Sequence, residues 1–109
     1  MTIDKTYPEN LKNTKIYDLI TAQTTKKLNE CYGEKIKPQE ICIYTTDSET
    51  RCMAIRGEDG NLYRSSGNAA IIAVWNGLDI LGPEFASRCI VPVKKVSKNG
   101  REYCSVVLE

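Results

Sequence analysis

The chain has 109 residues, of which 41% are hydrophobic and 27% charged, with fifteen Lys and Arg against fourteen Asp and Glu. That is the size of one domain and the composition of a folded globular protein. It excludes a disordered chain, which would show few apolar residues and a large net charge.

Residues 1–15 are polar with an isolated Pro8 and read as a loose N-terminal arm. From Ile16 to Tyr32 the apolar positions 16, 19, 20, 28, 31 and 32 fall at roughly helical spacing, and Gly33 is a natural stop. Thr24 and Thr25 weaken its middle, so the helix begins either at Ile16 or only at Thr24. Lys35–Thr45 carries Ile36, Ile41, Ile43 and Tyr44 and reads as a strand, with Pro38 marking an edge or a bulge. Asp47-Ser48-Glu49 turns the chain into a second strand over Arg51–Arg56. Asp59-Gly60 is a hairpin signal leading to a short third strand, Leu62–Arg64.

Ser66 or Asn68 can cap a helix that runs to Leu81. Its apolar face holds Ile71, Val74, Trp75, Leu78 and Leu81, and Gly82-Pro83 ends it. Two strands follow, Cys89–Val96 and Arg101–Leu108. The Asn99-Gly100 between them favours a type I′ turn. The order predicts a β-rich α+β fold: a five-stranded OB-like barrel over residues 16–109, with an N-terminal helix and a helix between strands three and four. Trp75 and its neighbours would plug the barrel's open end. A plain α+β sheet with helices on one face predicts nearly the same string.

The chemistry is narrowed mostly by exclusion. Histidine is absent, which removes histidine bases, serine-type triads and most zinc sites. The five cysteines, Cys31, Cys42, Cys52, Cys89 and Cys104, form no C-x-x-C pair and are odd in number. Reduced thiols that pack as small apolar residues fit best. The longest apolar run, Ala69 to Trp75, is seven residues, against the ~20 of a membrane helix. The polar start Met1-Thr2-Ile3-Asp4-Lys5 has no apolar signal-peptide core, so a cytoplasmic protein is expected. There is no phosphate-binding glycine loop, dinucleotide fingerprint or metal-ligand spacing. Glu58 and Asp59 read as solvated turn residues. The chain is expected to be neither an enzyme nor a cofactor carrier.

Charge distribution says more than net charge. Arg88, Lys94, Lys95, Lys98 and Arg101 are opposed only by Glu102, so residues 88–105 carry +4 while the remainder carries −3. An edge strand guarded by lysines accounts for this. So does a hairpin that contacts phosphate. Tyrosines favour the second. In the last strand Tyr103 is out of phase with Cys104, Val106 and Leu108 and points outward beside Arg101. Tyr44 is out of phase with Ile41 and Ile43, and Tyr63 precedes Arg64. Tyrosines among cations on strands suit base stacking, and the candidate nucleic-acid contacts are Tyr44, Arg51, Tyr63, Arg64, Lys94, Lys95, Lys98, Arg101 and Tyr103.

One stretch runs Arg56-Gly57-Glu58-Asp59-Gly60-Asn61-Leu62-Tyr63-Arg64-Ser65-Ser66 into the helix ending Leu78-Asp79-Ile80-Leu81-Gly82. A second runs from Ile90 through Val93-Lys94-Lys95-Val96-Ser97-Lys98-Asn99-Gly100-Arg101-Glu102-Tyr103. In order and spacing the two resemble the small single-stranded DNA-binding proteins of bacteriophages. Those share an acidic-Gly-x-x-Tyr turn, a following helix and a basic closing hairpin. Lys27–Ile36 resembles their helix-to-strand entry. The resemblance implies an OB-type fold that coats single-stranded DNA in phage replication, in a bacterial cytoplasm. Its partners would be DNA, further copies of itself or a replication protein, and it would need no cofactor. The alternative is a phage-encoded protein-binding module that inhibits a host or defence factor.

Overall fold

The computed structural model describes all of residues 1–109. Seven strands and two helices succeed one another: β1 (Thr2–Tyr7), α1 (Asn13–Thr21), β2 (Lys26–Lys27), β3 (Pro38–Thr45), β4 (Arg51–Gly57), β5 (Leu62–Ser65), α2 (Asn68–Leu81), β6 (Ile90–Val96) and β7 (Glu102–Leu108). Five strands form a mixed sheet in the order β1-β3-β4-β5-β2, and β6 and β7 form a separate antiparallel pair.

The sheet is buried on both faces, and the sequence of β3 shows why. Ile41 and Ile43 point to one face, where Met53, Ile55, Tyr63, Ile71, Val74 and Phe85 complete the main core. Cys42 and Tyr44 point to the other, where α1 lays down Leu19 with Ile16 and Ile20 beside it. A run of four buried residues, Ile41 to Tyr44, is what a doubly covered strand requires.

The α+β class is as expected, but the sheet does not close into a barrel. Both of its edges are taken by short strands that the sequence did not reveal. β1 lies antiparallel on β3, and the two residues of β2 run parallel to β5, pairing Lys26 with Tyr63 and Lys27 with Arg64. With the β5 edge taken, β7 packs on α2 instead, and an isolated bridge, Ile36 to Ile90, ties the hairpin to the segment that leads into β3. The second helix therefore lies between the fifth and sixth strands, not the third and fourth.

Further expectations are corrected. Residues 1–15 are not a loose arm, since β1 holds five paired positions against β3 and α1 starts at Asn13. The first helix does not reach Tyr32. It stops at Thr21, because Thr24 and Thr25 are stiff β-branched residues whose side chains serve β5. Thr25 N donates to the Leu62 carbonyl, and its hydroxyl accepts from Leu62 N. Beyond them a 3-10 turn, Leu28–Glu30, sends Leu28 and Cys31 into the main core.

The helix capped by neither Ser66 nor Asn68 is α2. Gly67 is its N-cap, and the Ser65 hydroxyl accepts from Gly67 N at 3.0 Å. Its buried line is Ala70, Ile71, Val74 and Gly77, rotated from the expected face, so Trp75 sits half-buried at the rim rather than at the centre. Gly77 lets β7 come close there: a Cβ would run into the Leu108 side chain, which would have to shift.

The hairpin turn is not type I′, because only Gly100 has positive φ, at 79°. Gly100 N donates to the Ser97 carbonyl, and Ser97 N to that of Arg101. This is a three-residue loop with a left-handed glycine. Gly57–Asn61 repeats the pattern around Gly60.

Candidate nucleic-acid interface

Three segments meet around a cleft of about 720 Å3: residues 24–32, the β5–α2 connection and the start of β7. Tyr32 and Tyr103 line it, and they are 38% and 39% exposed, enough to offer ring surface to a ligand. Lys27 lines it too. Lys94 Nζ lies 5.7 Å from the Tyr32 ring centroid and 3.5 Å from Glu102 Oε2. Lys95 is directly opposite Tyr103 across the hairpin, so the two share a face. Lys98 and Arg101 stand exposed at the turn, and neither side chain has a protein partner. The Tyr32 hydroxyl faces Cys104. Partial removal from water, then that thiol, raises the Tyr32 phenol above its usual value. Burial likewise raises the Cys104 thiol, which leaves it protonated and unreactive at neutral pH.

Five of the nine expected contacts lie together in this region: Lys94, Lys95, Lys98, Arg101 and Tyr103. Of the other four, only Arg64 reaches the cleft. Tyr44 is 6% exposed and Tyr63 is 2% exposed, so neither ring is available for stacking. The Tyr63 hydroxyl donates to Asp59 Oδ2 at 2.7 Å and fastens the Gly57–Asn61 turn. That bond, joined by the Asn61 backbone N–H, lowers the Asp59 carboxyl.

Arg64 lines the cleft but is committed to the fold. Its Nε donates to Thr24 Oγ1 at 2.7 Å and one terminal nitrogen donates to the Tyr44 hydroxyl at 2.8 Å. The other reaches the carbonyls of Leu19, Ile20 and Ala22 at 2.7, 3.0 and 2.7 Å. Those carbonyls close the C-terminus of α1, which has no basic residue in its own last turn. Arg64 thus supplies the positive charge and the donors that a helix end needs. Arg51 stands away from the hairpin, with its guanidinium carbon 5.4 Å from the Trp75 ring centroid.

Tyr32 and Lys27 are the lining residues that sequence reasoning missed. Both were absorbed into a helix that does not exist. The signal was the Thr24-Thr25 break, which places everything after it on a loop, where an exposed tyrosine is free to bind.

No group of three or more Cys, Asp and Glu side chains is placed to hold a metal ion, and no helix is long and apolar enough to cross a membrane. No protein-family model, no curated protein and no solved structure matches the chain.

Proposed function

We propose that the cleft binds single-stranded nucleic acid without reading its sequence, with DNA in phage-type replication as the setting that the motif resemblance implies. The observation that carries this reading is the pairing of two exposed tyrosine rings in one cleft with exposed cations on and beside its walls. Tyr32 and Tyr103 offer flat apolar faces to bases, Lys27 lines the same cleft, and Lys95 and the Glu102-paired Lys94 stand on the adjoining hairpin, where phosphates of the same strand would pass. Stacking contributes ~1–3 kcal/mol per base and tolerates any base. The lysines add an electrostatic attraction that salt weakens. Supported by an arrangement of side chains and by no relative, the reading stands on that arrangement alone.

A protein-binding module is the second reading, favoured by exposed Val96 and Val107 on the same hairpin. One titration separates the two. Labelled oligo-dT followed by fluorescence anisotropy at about 50 mM and about 200 mM salt should show binding that weakens as salt rises. Absence of salt-dependent binding at the lower concentration would refute the nucleic-acid reading and leave the protein partner.

A further inference from the structure

On the far side of Arg51 a second, smaller depression of about 210 Å3 is lined by Arg51, Ile71, Ile72, Trp75 and Asn76. It is below the ~300–1,000 Å3 of a pocket that encloses a small molecule, and it suits one flat ring laid against its wall. The wall is unusual for this protein. Arg51 and Lys5 both approach the indole of Trp75, at 5.4 and 5.5 Å from its centroid. Lys5 is held by Asp79 at 2.7 Å. Arg51 is held more loosely, 3.7 Å from Asp4 Oδ2, and its side chain is 48% exposed. Asp4 is also engaged by the Thr45 hydroxyl at 2.6 Å. The Arg51 guanidinium is therefore set over an aromatic ring and keeps donors for an anion. Ile72 beside it is 45% exposed, a large apolar side chain with no protein neighbour to cover it.

The depression adjoins the cleft through two chain connections. Cys52 lines the cleft and Arg51, the residue before it, lines the depression; neighbours on a strand face opposite ways, so the two sites flank the start of β4. Gly67 lines the cleft, and the first hydrogen bond of α2, from Ile71 N to the Gly67 carbonyl, reaches a residue of the depression.

We infer that the Trp75–Arg51 depression is a second base-binding position on the same single strand, reached by nucleotides that leave the cleft past Gly67. Arg51 stacks a base on its outer face and contacts the adjoining phosphate, and Ile72 covers the base edge. The inference rests on the proposed nucleic-acid reading and extends it from one cleft to a track with two stacking stations.

Trp75 is the single tryptophan of the chain, so its emission reports this position alone. Titrations with oligo-dT of about 4 and about 12 nucleotides, inside the range of known site sizes, test the track. The long oligonucleotide should change Trp75 emission and the short one should bind with no change. Arg51→Ala should weaken the long one at least about fivefold, the loss of one stacked base, and leave the short one unaffected. Arg51→Lys keeps the charge beside Asp4 without the planar group, and it should show most of the same loss. Length-independent affinity, silent Trp75 emission and normal binding by both variants would overturn the second station while the cleft reading stood. Failure of both lengths to bind would remove the cleft reading, and the second station with it.

Discussion

In β5, Tyr63 is buried and the half-buried Arg64 is fully engaged by the protein, whereas in the β6–β7 hairpin Arg101 and Tyr103 are exposed. Both pairs are a tyrosine and an arginine on or beside a strand, and sequence alone gives them the same look. What differs is how much of each strand is covered. β5 has β4 on one edge and β2 on the other, with a packed core on one face and α1 on the other. Every polar group there must find a partner or bear the cost of burial. Arg64 makes five hydrogen bonds and Tyr63 fastens a turn. The hairpin is covered by α2 near Val106 and runs clear of the body toward Gly100, so its cations have no such obligation. A polar side chain becomes available to a ligand when the fold leaves it unpartnered.

The comparison breaks most readily at Arg64. Arg64→Met keeps the apolar stem but leaves the Tyr44 hydroxyl, Thr24 and three helix carbonyls without a donor. We expect a loss of about 2–4 kcal/mol by urea unfolding, the range for orphaning several partly buried groups. A variant as stable as wild type would show that these bonds are formed equally well by water.

Trp75 gives the next effect. Its ring is at the rim, so Trp75→Ala should fall below the ~3–5 kcal/mol of a fully buried aromatic, which Phe85→Ala, at 1% exposure, should reach. Equal losses would return Trp75 to the core.

Tyr103→Ala should reverse the pattern seen at Arg64. Stability should change by no more than ~0.5 kcal/mol, as at an exposed site. Oligo-dT affinity should drop by ~1–3 kcal/mol at every salt concentration. Replacing both Lys95 and Lys98 by Ala should act on the other variable, reducing the log–log salt slope by roughly 0.7–1.4 without unfolding the protein. Identical changes in slope from both variants would mean that stacking and charge are not separate here.

Alkaline pH weakens the covered region. Burial pushes the Cys31 and Cys42 thiols up to about 11, whereas an unfolded thiol titrates near ~8.5. Between those values the unfolded chain has released protons that the folded chain retains, so stability declines as pH rises. The Tyr44 and Tyr63 phenols, also raised chiefly by burial, add to the decline above ~10. Urea midpoints at pH 7.5 and pH 10 should fall accordingly, and a flat profile would contradict the burial of these thiols.

Much of the architecture was legible. The α2 boundaries, the final hairpin and strands β3 to β5 follow from apolar periodicity and Asp-Gly or Asn-Gly turns. The failures have one origin. β1 is built from Thr2-Ile3-Asp4-Lys5-Thr6, which carries no strand pattern and is recruited by the free edge of β3. β2 is two lysines recruited by β5. Edge pairing of this kind depends on backbone hydrogen bonds, which leave little trace in side-chain pattern. Those two strands occupy the sheet edges and keep the barrel open. The same blindness governed the site. Tyr44 looked exposed because it is out of phase with Ile41 and Ile43, an inference that assumes one wet face. With α1 on that face, the phase argument places Tyr44 in a second core. On the hairpin, where one face is wet, the same argument placed Tyr103 at the surface.

Photocrosslinking tests the central claim most directly. Oligonucleotides of thymidine with 5-iodouridine substitutions would be irradiated with the protein and the linked residues mapped by mass spectrometry. Tyr17 of α1 is the built-in control, because it is 67% exposed yet lines neither the cleft nor the depression. The account predicts crosslinks at Tyr32 and Tyr103 and none at Tyr17, Tyr44 or Tyr63. Crosslinks at Tyr17 in place of Tyr32 and Tyr103 would contradict it.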